Sequence, residues 1–264
     1  MLSAKKIIHI LAAILLLTLM HPAMAEDAAN KFSIGTELYG ERYQEPDIGV
    51  QVNEHAIAGS LTGNYTHSFE QYFVGIDGRL SYANDDYKSV SGTDDNIPQY
   101  EGDIRIRGGL NMNLGDVLIS PYVGLGTRIF YDRSNNTETS LGYFGYDRHI
   151  TQYYAPIGVT SVFNSGDWVI SPTIELDPLL YGIVNSHLED VGLSNISNTQ
   201  HSGYGIRGDF MIGKNIGNYT WQVGPFFRYW NIQQSNTVVT SDGSAWVEPK
   251  NNRLQAGAAL KLLF

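Results

Sequence analysis

The chain has 264 residues, no cysteine and a formal net charge of −10 at neutral pH. The lack of cysteine excludes a disulfide scaffold, a Cys-ligated zinc site and a thiol nucleophile, and the acidity argues against nucleic-acid binding. A hydrophobic content of 42% is too high for a disordered chain. The mean hydropathy of −0.19 is too polar for a bundle of membrane helices, but it is compatible with the half-apolar strands of a membrane β-barrel.

The N-terminus has the pattern of a secretory signal peptide. Lys5 and Lys6 precede an apolar run over residues 7–20, and Ala23-Met24-Ala25 has the small-x-small spacing of a cleavage site. We predict a signal peptide at 1–25 and an exported domain at 26–264. The alternative, a membrane anchor helix, would need a longer apolar run.

After residue 30, apolar residues recur at every second position, which is typical of strands with two different faces. In the last segment Leu254, Ala256 and Ala258 share a face with Leu260 and Leu262. Ten such segments are predicted, at 32–43, 55–68, 71–84, 100–113, 117–131, 149–163, 168–184, 202–213, 218–232 and 252–264.

The connections between these segments alternate in length. Short turns at 68–71, 113–116, 164–167 and 214–217 alternate with long loops at 44–54, 85–99, 132–148, 185–201 and 233–251. An even strand count with this alternation is typical of bacterial outer-membrane barrels. The sequence therefore predicts an all-β fold, a closed antiparallel transmembrane β-barrel of ten strands.

The aromatic residues distinguish this fold from a soluble sandwich or a lipocalin-like barrel, in which apolar residues point inward. Two levels of aromatic residues are predicted, as at the two interfaces of a membrane. Those near the short turns are Tyr72, Trp168, Tyr219, Trp221 and Phe264, and those near the long loops are Tyr43, Tyr82, Tyr131, Tyr153, Tyr204 and Tyr229.

Three motifs add a family resemblance: the Ala-x-Ala signal, the closing segment 260–264 and the run Ser120-Pro-Tyr-Val-Gly-Leu-Gly126. Together they resemble the bacterial outer-membrane β-barrel superfamily, in particular its small OmpA/porin-like barrels. The resemblance implies localisation in the outer membrane, contact with its lipid and lipopolysaccharide, and recognition of Phe264 in the last strand by the barrel assembly machinery.

Five prolines fall inside predicted strands, where each removes a ladder hydrogen-bond donor. We expect local bulges at these positions, above all in the seventh strand, which has two of them. The prolines are Pro121, Pro156, Pro172, Pro178 and Pro225.

The strand phases also predict which charged side chains point into the barrel. Acids and bases nearly balance there, and a barrel of about ten strands has little spare room, so we expect a cross-linked polar lumen rather than an open channel. A narrow ion path is the alternative. The predicted residues are Glu37, Glu41, Asp77, Arg79, Asp103, Arg105, Arg107, Arg128, Glu175, Asp177, Arg207, Asp209, Arg228, Arg253 and Lys261.

By elimination, the loops are expected to hold the function, as envelope structure or surface binding to an unknown ligand. The second loop has four acids, Asp85, Asp86, Asp94 and Asp95, but their spacing matches no calcium motif. The third loop is rich in Asn and Tyr, and Trp246 in the fifth is a candidate binding anchor. No metal, cofactor, nucleic acid or enzymatic activity is expected.

An enzymatic alternative remains at the barrel rim. Omptin proteases are ten-stranded outer-membrane barrels that pair an Asp-x-Asp couple with an Asp-x-His couple to activate water. Asp147 and His149 have the Asp-x-His spacing, whereas Asp85-Asp86 lacks the intervening residue. His187 and Asp190 are a further rim pair at a different spacing.

Overall fold

The computed structural model describes residues 30–46 and 51–264. The predicted signal peptide, 1–25, lies outside these residues. Within the described chain, no helix is long and apolar enough to cross a membrane.

The described chain folds almost entirely into β-strands, with one short 3-10 helix at Leu188–Val191. The strands are β1 (Asn30–Glu45), β2 (Val52–Phe69), β3 (Tyr72–Ser89), β4 (Gly92–Leu110), β5 (Met112–Leu114), β6 (Val117–Arg133), β7 (Asp147–Tyr154), β8 (Ile157–Ser165), β9 (Trp168–Ser186), β10 (Ile196–Gln200), β11 (Gly203–Ile216), β12 (Tyr219–Ile232), β13 (Val238–Val239), β14 (Ala245–Trp246) and β15 (Asn251–Leu263).

The main strands form a ring of antiparallel pairs. β1 pairs with β2, β2 with β3, β3 with β4 and β4 with β6, and the short β5 continues the line of β4 along β6. β7 and β8 follow one another along both β6 and β9. The order continues through β11, β12 and β15, and β15 pairs with β1 over twelve positions, from Ser33↔Leu263 to Gln44↔Asn252.

Every predicted strand overlaps observed strands, but those predicted at 100–113 and 149–163 are each divided in two, at Asn111 and at Ala155-Pro156. The long-loop end is also more ordered than the sequence suggests. Residues 85–99, expected to form a loop, continue β3 to Ser89 and begin β4 at Gly92. The expected loops at 185–201 and 233–251 contain β10 and the β13–β14 hairpin. These segments are mostly polar on both faces, so the alternation of apolar residues could not reveal them.

The short turns lie where they were expected, and they hold tight hairpins. Gly217 has a φ of 62°, a left-handed conformation that glycine adopts without strain. Glu70 adopts a similar φ of 53° in the first turn, although it is not a glycine.

The two faces of the ring differ in polarity. Outward-facing apolar side chains form an exposed belt, which includes Leu38, Ile57, Leu61, Leu80, Ile104, Ile106, Val123, Leu125 and Val223. The inward face holds many buried charged and amide side chains. This arrangement is the reverse of a soluble barrel, in which the apolar residues point inward.

Most of the predicted aromatic residues are exposed and flank the apolar belt; Tyr229 is half-buried beside Tyr204, with 6.4 Å between ring centroids, and Tyr43 points inward. Tyr72, Trp168, Tyr219, Trp221 and Phe264 are exposed at the short-turn end, and Tyr82, Tyr131, Tyr153 and Tyr204 are exposed toward the long-loop end. Tyr43 was assigned to the wrong face: it is buried inside the ring, where its hydroxyl donates to Glu45 Oε1 at 2.8 Å. It shares its strand phase with Glu37 and Glu41, which explains its direction.

The prolines coincide with interruptions of the ladder. In β9 the pairing with β7 skips Leu180, close to Pro178, which is a bulge in the strand where one was expected. Pro156 separates β7 from β8, and pairing lapses beside Pro172 and Pro225. Pro121 stays in register opposite Val159.

Candidate functional site

The predicted inward charges, except Asp209 and Lys261, contact one another or Glu101 inside the ring and form what we call the interior network. Nearest the short turns, Asp77 accepts from Arg105 Nε at 3.2 Å and from Arg107 Nε at 2.5 Å. Across the ring, both terminal nitrogens of Arg228 donate to Glu37, at 2.6 and 3.1 Å. These contacts link strands that are far apart in the sequence.

The middle of the network contains a carboxylate that the sequence analysis missed. Glu101 accepts from Arg79 Nη2 at 2.8 Å and from Arg128 Nε at 2.5 Å. Gln255 joins the same group through a 2.8 Å bond from its Nε2 to Glu101. Glu101 is two residues before Asp103 on the same strand face, so extending the alternation by one step would have identified it.

Arg207 is the centre of a second group in the network. It lies 3.0 Å from Asp103, 3.3 Å from Glu175 and 2.5 Å from Asp177. Arg105 also contacts Glu175. The hydroxyl of Tyr154, a fully buried side chain, donates to Asp103 Oδ1 at 2.7 Å. Asp103 and Glu175 therefore each accept from more than one donor, whereas Asp177 accepts from Arg207 and its buried Oδ1 has no hydrogen-bond partner among the described residues.

The first and last strands are linked by charged side chains. Arg253 of β15 contacts Glu41 of β1 and donates to Gln99 of β4 at 3.0 Å. Its guanidinium also stacks over Phe130, with 4.2 Å from Cζ to the ring centroid. The ring of Tyr43 also lies 5.0 Å from Cζ, so the guanidinium has aromatic contacts in addition to its hydrogen bonds.

Packed side chains separate the interior into two parts. Tyr154, Met211, Trp230 and Gln255 are almost completely buried across the middle of the ring. A polar cavity of about 540 Å³ remains on the short-turn side. Asp209 and Lys261 line this cavity, and among the described residues neither has an ion-pair partner within 4 Å.

A distinct acidic group closes the long-loop end, beyond the level of Tyr82 and Tyr131. We call it the mouth cluster; it consists of Glu45, Glu54, Asp85, Asp132, Glu248 and Arg148. Arg148 is its one basic member, and it was predicted only as the middle residue of an Asp-x-His motif. Its nitrogens lie 2.8 Å from Asp132, 3.5 Å from Glu54, 3.6 Å from Glu248 and 3.8 Å from Glu45.

One guanidinium cannot compensate five carboxylates, and the pKa values reflect this. Burial raises the pKa of Glu54 to about 8 despite the opposing effect of Arg148. Burial, together with the charges of Glu54 and Asp132, also raises the pKa of Asp85 to about 8. Burial raises the pKa of Glu248 to about 7. At neutral pH the cluster therefore retains protons.

The mouth cluster also holds a long loop over the end of the ring. Ser235 and Glu248 exchange hydrogen bonds across residues 233–250, with Ser235 N donating to Glu248 O at 3.0 Å and Glu248 N donating to Ser235 Oγ at 2.8 Å. The amide of the buried Asn198 donates to the carbonyls of Asn236 and Trp246. Trp246 thus lies in the β13–β14 hairpin, half-buried rather than free.

The residues of the protease alternative do not converge. Asp85 is 1% exposed and points into the mouth, whereas the His149 ring stacks on the outward-facing Tyr131 with 4.2 Å between centroids. Asp147 accepts from the amide of Asn135 at 3.0 Å, and Asp86 accepts from the amide of Asn96 at 3.2 Å. Asp190 likewise accepts from the Asp147 amide, and His187 lies near Glu189.

The acidic residues also do not form a metal site. No group of three or more His, Asp or Glu side chains within residues 30–46 and 51–264 is arranged to hold a metal ion. Of the four acids predicted in the second loop, Asp85 is inward on β3 and Asp86 is exposed beside it. Asp94 and Asp95 lie at the start of β4.

Comparisons with known proteins identify the fold. No family model matches the chain, and no curated protein sequence matches it. The outer membrane protease OmpT of Escherichia coli is a structural neighbour at 11% identity, with a TM-score of 0.65 over 93% of this chain and 99% of that one. The translocator domain of the autotransporter NalP of Neisseria meningitidis has a TM-score of 0.43 at 8% identity, over 100% and 98%. Neisserial surface protein A has a TM-score of 0.33 at 9% identity, over 87% of this chain and 95% of that one. The ring of strands, its reversed polarity and the likeness to OmpT show that this chain has the fold of a bacterial outer-membrane β-barrel.

Proposed function

We propose that the chain is a closed ten-stranded barrel of the bacterial outer membrane, with an occluded lumen, that acts in surface binding or envelope structure through its extracellular part. The observation that supports this best is the filled interior, from the interior network to the mouth cluster. A filled interior argues against transport through the lumen, so we assign the function to the ordered loops and strand extensions at the long-loop end. The long-loop end is then extracellular and the short-turn end periplasmic.

The dimensions of the exposed belt support the membrane position. In β3, the outward Tyr72 and Tyr82 enclose a segment of eleven residues with Val74, Ile76 and Leu80 exposed between them. A tilted strand needs about 9–11 residues to cross the hydrocarbon core. The strand ends beyond Tyr82 then extend past the membrane and build the extracellular part.

The filled interior makes a diffusion channel the weaker alternative. A permeating ion would have to pass the buried layer of Tyr154, Met211 and Trp230 and the paired charges around Arg207. Recordings from the purified protein in planar bilayers should show no stable large conductance. A steady open conductance would refute the occluded lumen.

A protease is the second alternative, because the OmpT fold is similar. The opposite directions of Asp85 and His149 argue against an omptin-like couple at these positions. The test is a fluorogenic dibasic peptide mixed with the purified barrel and lipopolysaccharide. Cleavage that is abolished by His149→Ala or Asp85→Ala would overturn the binding proposal, whereas loss of surface attachment after trimming loop 132–148 would support it.

Assembly and lipid contact are part of the same proposal. Phe264 packs against Phe32, with 5.0 Å between ring centroids, and against Tyr219 at 6.2 Å. These contacts put the last residue among the aromatic side chains of the short-turn end, which is periplasmic in this proposal. We propose that the barrel assembly machinery recognises the last strand there, and that outer-membrane lipid and lipopolysaccharide surround the belt.

A further inference from the structure

Two extracellular loop tips present apolar side chains to solvent. Val90 lies at the tip of the β3–β4 hairpin, and Leu141, Tyr143 and Phe144 lie in the loop between β6 and β7; each is 60–67% exposed. We call these four residues the tip patch. Exposed apolar side chains that cluster on a monomer mark an interaction site more often than scattered single ones do.

The tip patch is held by specific hydrogen bonds between the two loops. Ser140 N donates to Thr93 O at 2.8 Å, and Thr93 N donates to Ser140 Oγ at 3.0 Å. Thr139 Oγ1 donates to Ser91 O at 2.5 Å. Gly92 has a φ of 112°, and a Cβ there would come within 2.7 Å of Ser140 Oγ, so glycine is needed for this contact.

The loop that holds the three larger residues is also braced internally. Thr139 N donates to Tyr143 O and Gly142 N donates to Thr139 O, both at 2.9 Å, and Glu138 forms an isolated bridge with Phe144. A preorganised aromatic surface loses little conformational entropy on binding. The hydrogen bonds within the loop therefore fix the geometry in which the exposed rings of Tyr143 and Phe144 face solvent.

The charge of the extracellular part restricts what can bind there. Residues 43–46, 51–54, 84–99, 132–149, 185–202 and 232–252 contain thirteen Asp and Glu but only four Lys and Arg. Five of these acids and Arg148 form the buried mouth cluster, so eight acids and three bases remain outside it. Glu138 and Asp95 are exposed close to the tip patch in sequence. A second copy, an anionic bilayer or an acidic glycan would each bring like charge to this surface and be repelled.

We propose that the tip patch binds a basic protein partner, one with an apolar pocket surrounded by Lys and Arg. The apolar side chains would fill the pocket, and the acidic surroundings would attract the basic rim and accelerate the encounter. This inference depends on the proposed surface-binding function and names the part of the surface and the chemistry of the partner.

The test uses the full barrel in neutral phosphatidylcholine nanodiscs, with empty nanodiscs as the blank. The probe is an eight-residue peptide of alternating lysine and tryptophan, and a glutamate–tryptophan peptide is its charge control. The triple variant Leu141→Ser/Tyr143→Ser/Phe144→Ser should bind the lysine peptide about 30-fold more weakly, which corresponds to loss of one hot spot. Binding of the lysine peptide should also weaken in 0.5 M salt, because the Debye length falls to roughly 4 Å and the charges are screened.

The matched control is Leu193→Ser/Val239→Ser, which removes exposed apolar side chains from other loops and should leave the affinity unchanged. A heat-modifiable gel shift shows that each variant is folded. Any of three results would overturn the inference. The triple variant could bind the lysine peptide as tightly as the unmodified protein does, or the glutamate peptide could bind as tightly as the lysine peptide. The third is flotation with phosphatidylcholine vesicles that depends on the tip patch. If surface attachment is still lost on trimming loop 132–148 while the triple variant attaches normally, the proposed function stands and only this inference fails.

Discussion

Arg148 is predicted to hold the mouth cluster together, and Arg148→Met is the most informative perturbation of it. The substitution keeps much of the side-chain length and removes the one positive charge in contact with Glu45, Glu54, Asp132 and Glu248. The remaining carboxylates then face each other without compensation. We expect the loop over the mouth, residues 233–250, to open more often.

The size of the effect follows from the burial of these groups. Removing one partner of a buried ion pair costs about 3–5 kcal/mol. Because Arg148 and Asp132 are partly solvated, at 15% and 10% side-chain exposure, we expect the lower end, about 3 kcal/mol. This corresponds to roughly a 100-fold increase in the opening equilibrium of the loop at pH 8. At pH 5.5 the acids can take up protons, so the increase should be much smaller.

Hydrogen exchange of the backbone amides, measured in nanodiscs and corrected for the intrinsic rate at each pH, provides the assay. The informative amides are those of Ser235 and Glu248, which bridge the loop. The matched control is Arg133→Met, an exposed residue at the end of β6. Equal protection of the two variants at pH 8, or a loss spread evenly around the ring, would refute the assigned role of Arg148.

Three further predictions follow from the contacts described. In the unmodified protein, the raised pKa values of Glu54, Asp85 and Glu248 contribute stability that is present below about pH 4.5 and is lost as the pH rises through 7–8. Backbone hydrogen exchange at the mouth cluster, corrected for the intrinsic rate, should therefore increase between pH 5.5 and 9, and an unchanged corrected rate would contradict this. Tyr154→Phe removes the donor to Asp103 and should lower the unfolding free energy in urea by about 2 kcal/mol, whereas the outward Tyr153→Phe should not; equal urea midpoints would count against the buried bond. Phe264→Ala should slow assembly, measured as delayed appearance of the heat-modifiable form, without altering lysine-peptide binding; normal assembly kinetics would remove the proposed signal.

The sequence was sufficient for the approximate strand positions, because the outer and inner faces of the ring have opposite polarities on alternate residues. Every predicted strand overlaps observed strands, and the expected bulge lies in β9 near Pro178. Beyond the apolar belt both faces of a strand are polar, so the alternation disappears. The extensions of β3 and β4 through residues 85–99 were therefore predicted as a loop.

The contacts of the candidate site were less predictable than the strands. The alternation of inward and outward residues along each strand places Arg79 and Arg128 on the inner face. The pairing register between the strands is needed to show that both contact Glu101. Arg148 was overlooked because its neighbours Asp147 and His149 matched the Asp-x-His spacing. Asp147 instead accepts from the amide of Asn135, and His149 stacks on Tyr131. The tip patch depends on contacts between two loops, which no local pattern indicates.

The ion pairs across the closing strands also constrain how the ring can close. Glu41 meets Arg253 and Glu37 meets Arg228, at sequence separations of 212 and 191 residues. A slip of one residue between β1 and β15 would turn the charges of one strand toward the apolar outer face, and a slip of two would keep the face but leave the partners mismatched. Closure in the wrong register therefore exposes a charge or leaves a buried charge without its partner. The network thus gives the ring an internal check on its own assembly, since the observed alignment of the first and last strands is the one that places Glu41 against Arg253 and Glu37 against Arg228.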